Sequence, residues 1–179
     1  MIVSSNIISR CQWVTPSNLG WLLYSLDDKE IDYIWKSIEN KKHITSHSLA
    51  GNISKSFTLE DSNDWFFNHT IHPLIRVYAN KFENIGRHLP MLYNHPYVLS
   101  KWWVNYQKQY EFNPCHDHSG IYSFVIWLKI PVEFDDQNKD NITNSPQRSS
   151  FQFHYQNILG QPKDFEYQLG KDYEGVMLF

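Results

Sequence analysis

Lys101 to Pro131 reads KWWVNYQKQYEFNPCHDHSGIYSFVIWLKIP, and the fold turns on how that stretch is understood. Two runs rich in aromatic and β-branched residues flank a short polar turn. They predict two strands, within Val98 to Tyr110 and Ser119 to Ile130. Both runs are apolar at many central positions, which implies burial on both faces, as in a sheet held between layers. The turn carries His116, Asp117 and His118 after Asn113-Pro114. On extended backbone, side chains two apart share a face, so His116 and His118 aim one way and Asp117 the other. Two imidazoles converging beside a sheet edge can seed a metal site, because neutral imidazole nitrogen suits iron, zinc or copper. The plain alternative is a surface turn with two solvated histidines. Cys115 adjoins the pair, but on a strand it faces away from both rings and reads as a structural thiol.

Upstream, the pattern is helical. Leu19 to Leu26 (LGWLLYSL) predicts a buried strand, after which Ser25, Asp27 and Asp28 offer an N-cap and an acidic first turn. Ile31, Ile34, Trp35 and Ile38 then form a one-sided apolar stripe ending near Asn40. His43 to Leu59 reads as a loop with a short strand at most, its His43 and His47 solvated. Asp61-Ser62 starts a second helix with a stripe of Phe67, Ile71, Leu74, Ile75, Tyr78 and Phe82, which Pro73 should kink or split and Gly86 should stop. His69 and His72 ride on its flanks.

Downstream, strands dominate. Glu133 to Ser150 is a polar excursion or lid. Ser150 to Gln156 alternates, with Phe151, Phe153 and Tyr155 on one face and Gln152, His154 and Gln156 on the other. Phe165 to Leu169 and Gly175 to Phe179 predict two more strands. The apolar run Val176 to Phe179 has no polar cap, so it is expected to leave hydrophobic surface and an unpaired edge, as in a chain that lacks its last strands.

A chain of 179 residues with 41% hydrophobic and 16% aromatic content is one domain able to bury a core. Its net charge of −3 gives no basic footprint for nucleic acid. No apolar run is long enough to span a membrane, and MIVSSNIISR lacks the pattern of a signal peptide. With only Cys11 and Cys115, a disulfide framework is excluded, and the expected compartment is the reducing cytoplasm. The glycosylation-like triplets at Asn52, Asn68 and Asn141 are then coincidental.

Helices followed by strands suggest an α+β fold whose strands make a sandwich or jelly roll. The chain resembles the Fe(II)- and 2-oxoglutarate-dependent oxygenases, closest to the prolyl-hydroxylase-like group found in bacteriophages and marine bacteria. The likeness is carried by Leu49 to Ser54 (LAGNIS), Trp103 to Gln107 (WVNYQ), Asn113 to Gly120 (NPCHDHSG) and Ser123 to Pro131 (SFVIWLKIP). It implies a double-stranded β-helix, a jelly roll backed by N-terminal helices, over residues 1–179. It also implies Fe(II) as cofactor, 2-oxoglutarate and O₂ as co-substrates, ascorbate as a possible reductant, and hydroxylation of a substrate such as peptidyl proline. A phage-encoded member would work in the host cytoplasm.

Carried over by residue, the resemblance makes His116 the first metal ligand and places His118 where the family has a carboxylate. That departure leaves less negative charge near the iron. Asp117 supplies the acid only if the turn bends it inward. Asn105 and Gln107, polar positions on the first strand, are the candidates for holding 2-oxoglutarate, with hydrogen bonding at the barrel mouth as their plainer role. The family's distal histidine and the basic residue that pairs with 2-oxoglutarate follow a strand like GVMLF, and both are expected beyond Phe179. His154 does not match that position, so the chain as given is expected to bind iron weakly. The competing readings are a non-catalytic jelly-roll binding or structural module and a cupin-like metalloenzyme that needs no 2-oxoglutarate.

Overall fold

The computed structural model describes residue 12 and residues 19–82, 96–142 and 148–179. Leu19 to Leu26 forms a three-residue strand, β1 (Leu23–Ser25), flanked by backbone bonds from Leu22 to Phe179 and from Leu26 to Gly175, and then turns into α1 (Asp28–Glu39). Asp27 is the N-cap: its carboxylate accepts from the Glu30 N–H at 2.9 Å, and Glu30 reaches back to the Asp27 N–H at 2.8 Å. Glu30 serves a second end as well. Although only 1% exposed, its carboxylate accepts from the Tyr24 hydroxyl at 3.0 Å and the Thr70 hydroxyl at 2.5 Å. The buried stripe of α1 is therefore Glu30, Ile34 and Ile38, while Trp35, expected inside, is 39% exposed. A carboxylate with three donors is buried readily; a large indole with no matching pocket stays out.

The second helix starts late and changes gauge. A 3₁₀ turn (Ser62–Asp64) comes first, and Asp61 caps the helical segment beyond it, accepting from the Phe66 and Phe67 N–H groups at 2.9 and 2.8 Å. Phe67–Ile71 then runs as a π-helical turn into α2 (His72–Lys81). Pro73 explains the wide turn. It has no N–H to bond the carbonyl of His69, and its ring would strike that carbonyl in a regular α-helix. The extra residue per turn shifts the inner face, so Phe66 is fully buried above Ile71 and Phe67 is only half-buried. Thr70 turns inward to Glu30 by the same shift. Gly86, the expected stop, lies outside the described residues; α2 ends at Lys81.

The strands form small antiparallel sheets in a mixed α and β fold. β2 (Ser56–Thr58) pairs with β3 (Trp103–Asn105), and β5 (Ser150–Gln156) pairs with β6 (Pro162–Gln168). The third sheet has the order β1-β7-β4, with β4 at Val125–Trp127 and β7 at Val176–Leu178. None of the three closes into a roll among the described residues. The two long strands expected within 98–110 and 119–130 shrink to three residues each, and β4 is half-buried throughout. By contrast β5 has the expected bounds, although its burial drops from the first half of the strand to the second instead of alternating.

The end of the sequence also departs from expectation. β7 is the middle strand, not an open edge: Met177 stands opposite Tyr24 on one side and Ile126 on the other. Met177, Leu178 and Phe179 are 0, 1 and 6% exposed. The polar excursion holds a short helix, α3 (Phe134–Asn138), tied down by the Asn138 amide, which donates to the Phe134 and Arg148 carbonyls. Among the described residues no helix is long and apolar enough to cross a membrane.

Candidate metal centre

The histidine pair sits on irregular backbone, outside any strand, and the rings meet all the same. His116 and His118 stack with centroids 4.8 Å apart, and their Nε2 atoms are 2.9 Å from each other. Strand periodicity is therefore not what brings them together. His116 Nδ1 lies 2.7 Å from the Pro114 carbonyl oxygen. A carbonyl only accepts, so Nδ1 carries the proton, and in the neutral ring Nε2 is left with a lone pair. That lone pair accepts from His118 Nε2–H.

In that arrangement His118 Nε2 carries a proton, so the two Nε2 lone pairs would meet a metal ion only once that proton moves to Nδ1. A ligating imidazole commonly donates its other N–H to a carbonyl, which fixes the tautomer and the ring orientation. Two imidazole nitrogens at right angles on an ion, each about 2.1 Å away, stand about 3.0 Å apart, close to the spacing observed. Partial burial pushes His118 below the usual histidine pKa, His116 adds to this, and Asp117 opposes it. The neutral form of His118 is thereby favoured. Among the described residues no cluster of three or more His, Cys, Asp or Glu side chains forms, so neither Cys115 nor Asp117 completes the site. His154 is occupied elsewhere, 2.6 Å from Asp164 on the neighbouring strand.

The loop that carries the pair is held from below by the segment around Asn52. Asn52 N–H donates to the Phe112 carbonyl at 2.8 Å, and Tyr106 N–H donates to the Lys55 carbonyl at 2.8 Å. Glu111 closes the turn between them, accepting from the N–H groups of Ser54 and Lys108. At Gly51 an added Cβ would press to 3.0 Å from the Asn113 side chain, and at Gly120 it would come within 2.9 Å of the Tyr122 carbonyl. At Gly120 the close neighbour is backbone, which favours glycine, whereas at Gly51 the close atoms belong to side chains. The supports at Pro114 and Glu111 were not foreseen. A proline two residues ahead of a histidine is the one local signal that could have pointed to them.

Asn105 and Gln107 are placed less favourably. Asn105 is exposed at the end of β3, opposite Ser56. Gln107 lies past the strand, and its amide donates to the Glu111 carbonyl at 2.7 Å, so it fastens the turn. A cleft of about 380 Å³ takes in Ile121, Tyr122 and Ser123. Ile121 follows His118 by three residues, which bounds their Cα separation at about 11 Å. No family model, curated protein or solved structure matches the chain.

Proposed function

We propose that the protein is an Fe(II)- and 2-oxoglutarate-dependent dioxygenase of jelly-roll type, a hydroxylase for which the resemblance suggests peptidyl proline as substrate. The observation that carries the reading is the meeting of two Nε2 atoms at 2.9 Å, with His116 Nδ1 engaged by the Pro114 carbonyl. His116 and His118 would hold the iron. When bound, iron would supply O₂ activation coupled to decarboxylation of 2-oxoglutarate. The chain's own part would be to orient the rings: the Pro114 carbonyl sets the His116 tautomer, and desolvation lowers the His118 pKa, which favours its neutral form. Asn105 remains the exposed amide for 2-oxoglutarate, whereas Gln107 would first have to release Glu111.

Anaerobic titration with Fe(II) and then 2-oxoglutarate tests this. A weak visible charge-transfer band that needs both additions, and that His116→Ala abolishes in a folded protein, is the expected result. Iron uptake through the two histidines without any response to 2-oxoglutarate would favour the cupin-like reading. No iron uptake by the folded protein would leave a binding or structural module. That last reading draws on the lack of a third ligand among the described residues.

A further inference from the structure

We propose that the outer edge of β5 is a strand-addition site for an extended, uncharged polypeptide segment of another protein. The register of the β5–β6 hairpin points to it. Leu169 N–H donates to the Ser149 carbonyl at one end, and Asn157 N–H donates to the Gln161 carbonyl at the other. Directly opposed residues in an antiparallel ladder alternate between bonded and non-bonded pairs, so these two bonds set the phase for the pairs between them. Phe151, Phe153 and Tyr155 exchange hydrogen bonds with β6. Gln152, His154 and Gln156 turn their N–H and C=O groups the other way. Among the described residues nothing bonds those outward groups.

The 380 Å³ cleft opens along that edge. Phe153, His154, Tyr155 and Gln156 all line it, and no residue of β6 does. Consecutive strand residues point to opposite faces, so a cleft that touches four in a row follows the strand's open side. The rest of the lining includes the aromatic side chains of Trp21 and Tyr122. Trp21 is fixed in place: it stacks on Phe153 at 4.5 Å, and its Nε1–H donates to the Tyr167 hydroxyl at 2.6 Å. The receptor is therefore preformed, and its volume falls within the usual range for ligand pockets.

Charge and shape select the occupant. No Lys, Arg, Asp or Glu lines the cleft, and its one imidazole, His154, is already engaged with the Asp164 carboxylate at 2.6 Å, so no free charge there would compensate a phosphate, a carboxylate or an ammonium group. A row of alternating backbone donors and acceptors beside an apolar wall is complementary to extended peptide backbone with uncharged side chains. The edge of β6 is guarded by Pro162, Lys163, Asp164 and Glu166, as natural edge strands commonly are, whereas β5 carries no Lys, Arg, Asp, Glu or Pro. A second copy is a poor occupant, because a two-fold interface must be its own complement and two concave clefts facing each other stay unfilled.

The proposal is independent of the metal reading and is tested without metal. The probe is an acetylated and amidated hexapeptide of alternating valine and threonine, added to isotope-labelled protein. Amide hydrogen exchange at Gln152, His154 and Gln156 should slow by about tenfold at saturation, with Phe151, Phe153 and Tyr155 unchanged. The same peptide N-methylated at every residue should lose this effect. His154→Pro, which removes one outward N–H and no ladder bond, should weaken binding by about tenfold relative to His154→Ala, which matches its loss of the side-chain contact with Asp164. Protection at the β6 edge, protection nowhere, protection that depends on protein concentration alone, or equal binding of the N-methylated peptide would each overturn it. The peptide control decides the matter should the proline variant fail to fold.

Discussion

Glu111 shows how one half-exposed carboxylate can fasten two segments of backbone. Hydrogen bonds from Ser54, then the one from the Lys108 N–H, hold its carboxyl below the usual carboxylate range. A depressed pKa contributes stability above the unfolded value and loses it as pH falls through the folded one. In acid, then, the turn under the histidine loop should loosen before the core does. Amide resonances of Ser54 and Lys108 should titrate with a midpoint below 4.5, the ordinary value, and Glu111→Gln should abolish that titration. A midpoint at or above the ordinary value would refute the linkage. At this scale the histidines were legible from their spacing, but for a reason the structure replaces. The rings meet on irregular backbone steered by Pro114 and Glu111, and a two-residue period cannot reveal supports that lie outside a strand.

Between elements, the tie from α1 to the π-turn ahead of α2 decides the packing. Glu30 receives hydrogen bonds from Asp27, Tyr24 and Thr70, and the Tyr24 hydroxyl is pushed up to about 12 by burial and then by that carboxylate. Glu30→Ala would leave several donors unsatisfied and should cost about 3 kcal/mol, against about 1 kcal/mol for Thr70→Val. Urea midpoints at unchanged slope check the order of the two; equal costs would mean that the carboxylate is not the hub. Helix boundaries near Asp27 and Asn40 could be read from capping and periodicity. Phe66 could not, because a 3.6-residue stripe assigns the inner place to Phe67, and only the gauge change ahead of Pro73 moves it.

Across the whole molecule, burial converges on β7 and on the aromatic layer it meets. Met177→Ala should cost about 2–5 kcal/mol and Phe66→Ala about 3–5 kcal/mol, while Leu23→Ala, at a position 55% exposed, should stay within about 0.5 kcal/mol. Thermal unfolding of the three variants measures this, and a Leu23 effect as large as that of Met177 would contradict the packing. Composition announced strands in 98–130 and overstated their length, because aromatic and β-branched content reports burial rather than how many residues find a partner. The bounds of β5 could be read from its alternating sequence, but burial falls along the strand, half-buried from Ser150 to Phe153 and exposed from His154 to Gln156, so the period of two in sequence does not carry over into burial.

A sheet whose middle strand comes last in sequence is assembled from the inside late. β1 and β4 leave the ribosome first, and each then waits for a neighbour that has not been made. Closing that gap joins segments far apart along the chain, which slows folding. Until Val176 to Leu178 slots between them, both waiting edges are open to the wrong partner, so yield during synthesis should depend on chaperone capacity more than the stability of the finished protein would suggest.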